Sequence, residues 1–239
     1  MTGALRARQF FEQGKVREAQ NELTAYLREH PSEVPERTFL FELLCFSGDY
    51  DRAEKQLAAL TNDDSKTELA AILYRSALHA ERIRHRVFEN QEFSKDQPAS
   101  PPGRLNGEDF HSIRDADPDL GARLEVFAAG AYLWIPFVHI ASVEIGAPTR
   151  LRDTLWAPAL VRTGPAFTGR ELGEVLIPAV YPFSWKDSNQ SAWLGRITQW
   201  AADDEGKEYP SGQRVLLADG KEIPFLEIRS LEFVQAEPS

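Results

Sequence analysis

The chain has one cysteine among 239 residues, Cys45. A lone cysteine cannot close an internal disulfide or build a thiolate zinc site, and it fits a reducing compartment. No stretch reaches the roughly 18 consecutive apolar residues that span a bilayer. The N-terminal MTGALRARQFFEQG lacks the apolar core and small-residue cleavage site of a secretory signal. These absences lead us to expect a cytoplasmic location without membrane contact. Histidine is scarce: His30, His79, His85, His111 and His139. His79 and His85 are six apart and fall on different helix faces, so they do not make the i, i+4 pair of HExxH. There is no Walker A loop, GxGxxG turn or GxSxG elbow. Basic residues are outnumbered, and the net charge is −10. Residues 1–90 hold 13 Lys/Arg against 15 Asp/Glu, and the remainder holds 14 against 22. An acidic second half argues against general nucleic-acid binding. With 42% hydrophobic and 27% charged residues the composition is globular, and the length allows one large domain or two ordinary ones.

What is present is a repeat. GKVREAQNELTAYLREHP, from Gly14, returns 34 residues later as GDYDRAEKQLAALTNDDS, from Gly48. Val16 then matches Tyr50, Ala19 matches Ala53, Leu23 matches Leu57, Phe10 matches Leu44 and Ala7 matches Phe41. This period and pattern are those of tetratricopeptide helix pairs. The glycine ends one helix where φ turns positive, the alanine allows close helix packing, and the large residues fill the contacts. Helices are expected over 4–13, 16–29, 36–47, 50–60 and 66–89, with turn prolines at Pro31 and Pro35 and a capping loop Thr61-Asn62-Asp63-Asp64-Ser65. The fifth helix carries Leu69, Ile72, Leu73, Ala77, Ala80, Ile83 and Val87 at helical spacing. Two and a half units are few for an independent solenoid, so this helix must cap the stack or pack on the second half of the chain.

Tetratricopeptide geometry would line the concave groove with Arg8, Phe11, Glu12, Thr38, Glu42 and Phe46; the alternative for Phe11 and Phe46 is simple core packing. Proteins of this build usually bind other proteins. The run ERIRHRVFE, residues 81–89, reads as a solvated helix face beside a packed stripe, because Ile83 and Val87 interrupt Arg82, Arg84, His85 and Arg86.

Around Pro98, Pro101 and Pro102 the composition changes to that of a linker. We divide the chain into a helical domain over 1–92, a linker over 93–103 and a β-rich domain over 104–239. Residues 110–117 suggest a short helix or turn. Strand-like runs come next at 124–129, 132–137, 143–145, 154–162, 174–181, 194–200, 214–218 and 221–233. Asp219-Gly220 is a favoured hairpin turn and Gly130 marks another; residues 139–144 could instead continue as a helical turn. The fold class is therefore α+β, helical repeats followed by a small barrel or a bent sheet. All five tryptophans, Trp134, Trp156, Trp185, Trp193 and Trp200, fall in this half and read as core. Pro136, Pro158, Pro178, Pro182 and Pro224 mark edges and bulges.

Five blocks of this half, RDADPDLGARLEVFAAGAYLWIPF, PTRLRDTLWAPALV, GEVLIPAVYPFS, WLGRITQW and GQRVLLADGKEIPFLEIRSLEF, resemble in order and spacing the ImpE family, also called TagJ or SciE-type proteins. Phe183 departs from the pattern, which leads us to expect glycine after Tyr-Pro. The resemblance implies a non-enzymatic accessory protein of type VI secretion. It implies a cytoplasmic adaptor that contacts the small sheath subunit through that subunit's N-terminal helix and is linked to the AAA+ ATPase that disassembles the sheath. A helical-repeat groove is compatible with gripping a helix.

Chemistry is otherwise thin, and we expect no catalytic, cofactor or metal site. Asp115, Asp117 and Asp119 imitate a calcium loop, but the sixth and twelfth positions are Leu120 and Val126 rather than Gly and Glu. Cys45, between Leu44 and Phe46, reads as an inert core thiol. The alternative to an adaptor is a small-ligand or enzymatic β domain, resting on Trp134, Trp156, Tyr181 and Arg196 as pocket-lining residues.

Overall fold

The computed structural model describes residues 2–60, 65–165, 167–169, 171–202, 206 and 208–235, and the side chains of residues 65–67 and 69 lie outside that description. The expected capping loop at residues 61–64 and the side chain of Leu69 therefore fall outside the described residues.

Five helices come first: α1 Gly3–Glu12, α2 Val16–Glu29, α3 Val34–Phe46, α4 Tyr50–Leu60 and α5 Ser65–Glu89. The two repeat units match as expected. Val16, Ala19 and Leu23 of α2 and their counterparts Tyr50, Ala53 and Leu57 of α4 are all buried. Gly14 and Gly48 close α1 and α3 with φ of +75° and +71°. In both units the amide just after the glycine bonds back to the helix, Lys15 to the Phe10 carbonyl at 2.8 Å and Asp49 to the Leu44 carbonyl at 3.0 Å, the C-terminal motif that a left-handed glycine permits.

After a turn at Asn90 and Gln91, residues 92–102 lead to the β half without helix or strand. Its elements are β1 Gly103–Leu105, β2 Glu108–Phe110, β3 Ile113–Asp115, β4 Arg123–Ala128, β5 Ala131–Pro136, β6 Ile140–Ile145, β7 Trp156–Thr163, β8 Gly173–Pro178, a short helix α6 Gln190–Trp193, β9 Thr198–Ala202, β10 Glu208–Gly212, β11 Val215–Ala218, β12 Lys221–Pro224 and β13 Ser230–Phe233. Eight strands form one antiparallel sheet in the order β2-β1-β13-β6-β7-β8-β4-β5; β12-β11-β3 form a second sheet and β10-β9 a ribbon. The large sheet is open, with β2 and β5 as its edges, so the barrel alternative gives way to an open sheet. Residues 110–117 hold strand ends and not a helix, because β3 pairs with β11. Residues 194–200 split between the end of α6 and β9, and 221–233 splits into β12, a 3₁₀ turn and β13. Both hairpin turns appear: Ala129 and Gly130, like Asp219 and Gly220, pair positive φ values, the backbone of a tight primed turn. Pro158 lies within β7 between β6 and β8, inside the sheet and not at its edge; its position is just past the last paired residues of β6, Ile145↔Ala159.

Two cores result. One lies inside the β half, where Ile113 and Leu216 of the small sheet meet Val126, Val143, Val161 and Ile177 of the large one. The other runs through both halves, joining Leu23, Phe41, Leu44 and Leu78 to Phe127, Trp156, Leu176 and Trp193. Of the tryptophans, Trp156 and Trp193 are buried, whereas Trp200 stands exposed on β9.

Candidate partner groove and the junction behind it

Residues three and four apart share one face of a helix. On α1 that face carries Leu5, Arg8 and Glu12, and on α3 it carries Val34, Thr38 and Glu42. Between them lies a cavity of about 490 Å³ lined by Arg8, Phe11, Glu12, Pro35, Thr38, Phe39, Glu42 and Leu151. Five of the six residues expected to form the groove thus converge. Phe11 meets Phe39 edge-on at 5.4 Å between centroids. The Arg196 guanidinium covers Phe11 at 4.6 Å and the Arg8 guanidinium covers Phe39 at 5.1 Å. Arg196 also donates to the Glu12 carbonyl at 3.0 Å. Glu42 accepts from Arg152 at 3.2 Å; burial raises its carboxyl pKa against the pull of that arginine. The Thr38 hydroxyl donates to the Val34 carbonyl at 2.9 Å. The floor is apolar and aromatic, the lip carries both charges, and Leu151, Arg152 and Arg196 of the β half close one end.

Phe46 is the exception. It is 2% exposed and sits at the junction of the halves with Tyr50, His85, Leu155, Trp185 and Trp193. The β half covers the stretch of concave surface that Phe46 was expected to line.

That junction is built on charge. Arg84 of α5, 2% exposed, donates through Nε and Nη2 to both carboxylate oxygens of Glu125 on β4 at 2.8 and 2.9 Å, and to the Val180 carbonyl at 3.1 Å. Arg214 donates through Nε and Nη2 to Asp115 Oδ2 at 3.0 and 2.7 Å, and its Nη1 lies 3.3 Å from Glu125 Oε2. The Tyr181 hydroxyl donates to Asp115 at 2.9 Å, Trp156 donates to Glu81 at 3.0 Å, and Tyr132 donates to Glu125. Burial alone would lower the Arg84 pKa, but Glu125 and Glu81 outweigh it and hold the guanidinium charged. Burial would likewise raise Glu125, and Arg84 with Arg214 pulls it below the usual carboxylate range. Glu81, whose burial outweighs Arg84, is raised. The run 81–89 is therefore only in part a solvated face, since Arg86 is exposed and Arg84 is not. Arg84 and Glu81 are its most buried members, and Arg82 reaches back to α4, bonding Asp51 and Glu54 at 2.9 and 3.1 Å. Ile72 and Leu73, assigned to the packed stripe, are 52% and 47% exposed.

His85 stacks on Tyr50 at 5.5 Å and lies against Trp185 at 4.4 Å. Burial, then the charges of Arg84 and Lys186, push its pKa down to about 2, so the ring is neutral. Cys45 is buried, and burial pushes its thiol well up, away from thiolate chemistry. The four residues offered for a ligand pocket do not converge: Trp156 and Tyr181 belong to the junction, Trp134 lies under Phe93 of the linker at 5.0 Å, and Arg196 lies on Phe11. Asp115, first of the three aspartates resembling a calcium loop, is spent on Arg214 and Tyr181. Among the described residues no group of His, Cys, Asp and Glu is disposed to hold a metal, and no helix is long and apolar enough to cross a membrane. The junction carboxylate could have been suspected from the sequence: Glu125 stands inside the otherwise apolar run LEVF, where a strand buried on both faces tolerates charge only with a partner.

The fold and groove define a tetratricopeptide-type repeat protein whose last helix is welded to an antiparallel β half. A tetratricopeptide repeat model matches residues 10–76, and the model described as ImpE protein matches residues 107–232. The chain belongs to the ImpE family. It is 28% identical to the type VI secretion system accessory component TagJ of Pseudomonas aeruginosa over 96% of this chain and 92% of that protein. The crystal structure of protein VPA1032 from Vibrio parahaemolyticus shares the fold, with a TM-score of 0.84 over 97% of this chain and 98% of that one at 20% identity. Phe183, where the family pattern leads us to expect glycine, has φ of +61°, the left-handed backbone that glycine adopts without strain.

Proposed function

We propose that this chain is a non-enzymatic, cytoplasmic accessory adaptor of a type VI secretion system, gripping the N-terminal helix of the small sheath subunit in the α1–α3 groove and linking it to the AAA+ ATPase that disassembles the sheath. Family membership and the likeness to TagJ support the secretion role. The observation that carries the mode of binding is the open cavity floored by Phe11 and Phe39 and rimmed by Arg8 and Glu12. An amphipathic helix would seat an apolar side chain on the Phe11–Phe39 pair and place charged neighbours against the lip. The non-enzymatic reading rests on where the charges are: the strongest acid–base cluster is sealed inside the junction, with Arg84, Glu125, Asp115 and Arg214 paired to one another.

Calorimetric titration of the full chain with a synthetic peptide of the sheath subunit's N-terminal helix tests it. One core runs through both halves, so the intact chain is the right reagent. Phe11→Ser and Arg8→Glu should each weaken binding by about tenfold or more, as expected for central contacts. Unchanged affinity in both variants would remove the groove from the mechanism.

A further inference from the structure

The outer face of the large sheet is covered at one end and bare at the other. Register places its residues in rows. Phe127, Leu176 and Pro158 lie side by side on β4, β8 and β7. The next row carries Glu174, Leu160 and Glu144 on β8, β7 and β6, and then Ser230 on β13. A cavity of about 710 Å³ lies over both rows, walled by Leu73 of α5 and by Ala129 in the β4–β5 turn. Leu73 is half exposed, on a helix that is buried two turns further on at Ala80. A sheet face buries its apolar residues against a second layer, and here the helical layer stops before the apolar row does.

We infer that this face docks an α-helix of another polypeptide, one with a single apolar stripe and lysine or arginine along one flank. It is a second surface, separate from the α1–α3 groove, and does not depend on that assignment. Three strands at about 4.8 Å spacing give a row roughly 10–15 Å long, which two to three helical turns cover. Two exposed carboxylates, Glu144 and Glu174, stand in the row beside the apolar one. Glu144 has only an exposed contact with Arg162 at 3.9 Å, and Glu174 has no ion pair among the described residues. Arg229, at the far end of the cavity, has its guanidinium turned to the Leu226 and Ile228 carbonyls at 2.8 and 2.7 Å. The net charge of −10 adds attraction for a basic segment and repels a second copy of this chain.

The test is fluorescence anisotropy on the full chain with a labelled model helix of about 18 residues, leucines on one face and lysines on one flank. A peptide with glutamate in place of lysine and a scrambled peptide serve as controls. The lysine peptide should bind and the other two should not. Leu73→Glu at a half-exposed side chain and Leu160→Lys at a partly exposed one should each weaken it by about tenfold or more while both variants stay folded. Glu144→Lys combined with Glu174→Lys should reverse the preference toward the glutamate peptide. Three results would overturn the inference: a lysine peptide that binds no better than its controls, variants that leave its affinity unchanged, or self-association in sedimentation that Leu73→Glu abolishes, which would give the face to a second copy.

Discussion

Helices α1 and α3 occupy equivalent places in the repeat, yet they live in different surroundings. On α1 only Ala7 is buried, and its inner face is open. On α3 every residue from Phe39 to Phe46 is buried. Thirty-four residues apart, Glu12 is exposed and Phe46 is not. The glycines that close these helices differ in the same sense: a Cβ on Gly14 would come within 2.8 Å of the Ser191 hydroxyl, whereas one on Gly48 would come within 2.6 Å of the Trp185 ring. Local sequence makes the unit, and the neighbours decide which unit keeps a free face. α1 keeps an open face, and the C-terminal half of α3 is covered by the chain's own β half.

The comparison breaks most severely at Arg84. Arg84→Ala leaves Glu125 and Glu81 buried beside a single remaining guanidinium, and we expect a loss of about 3–5 kcal/mol in denaturant unfolding. A loss below about 1 kcal/mol would show that the ion cluster does not hold the halves together. Next comes the pair Phe46→Ser and Phe11→Ser. The first opens a cavity and buries a hydroxyl, for about 3–5 kcal/mol, and the second, in the half-buried groove, should cost about 1 kcal/mol and act mainly on partner binding. Similar stability losses in both would erase the distinction between the two faces.

Gly48→Ala and Gly14→Ala sharpen it further. Both carry the left-handed penalty of about 1–2 kcal/mol, but only the first drives a methyl into an indole set edge-on against the stacked Tyr50 and His85, so it should lose about 1 kcal/mol more. Equal losses would mean that Trp185 moves freely.

The junction also predicts a pH response that the open groove lacks. His85 is held neutral, with its pKa lowered from the ordinary 6.5 to about 2. Between those values the unfolded chain binds more protons than the folded one, so this group's stabilisation is complete above pH 6.5 and declines as pH falls below it. In unfolding measurements from pH 7 to 5, His85→Phe should show a shallower loss than the parent chain, by about 2 kcal/mol. Parallel curves would contradict the buried neutral ring. The smallest effect belongs to Phe183→Gly. It relieves the left-handed backbone but removes a ring 5.0 Å from His85 and 4.2 Å from Lys186 Nζ, so the two changes should cancel to within about 1 kcal/mol. A loss beyond about 2 kcal/mol would make the ring, and not the backbone, the reason for phenylalanine here.

The groove's geometry was largely legible because Arg8, Phe11, Glu12, Thr38 and Glu42 are placed by helical spacing and the two short turns on either side of α2. Phe46 was not, since nothing near it in sequence announces that Trp185 and Trp193 will cover it. The run 81–89 misleads for the same reason: alternating Arg and apolar residues read as a wet face until Glu125, 41 residues away, supplies the partner that makes burial of Arg84 tolerable. Ile72 and Leu73 fail in the opposite direction, apolar at helical spacing with no layer above them.

The chain by itself determined what depends on contacts within a few residues: the paired helices, the left-handed glycines at 14 and 48, and the hairpins at Gly130 and Asp219-Gly220, because backbone hydrogen bonding and φ preferences are local. Only the tertiary structure decided what depends on distant partners. Arg214 and Asp115 are 99 residues apart, and the open sheet, the covered second repeat and the bare row beside Leu160 all arise from such pairings. A buried charge is stable only where its counter-charge arrives from elsewhere in the chain, and a periodicity cannot state where that is.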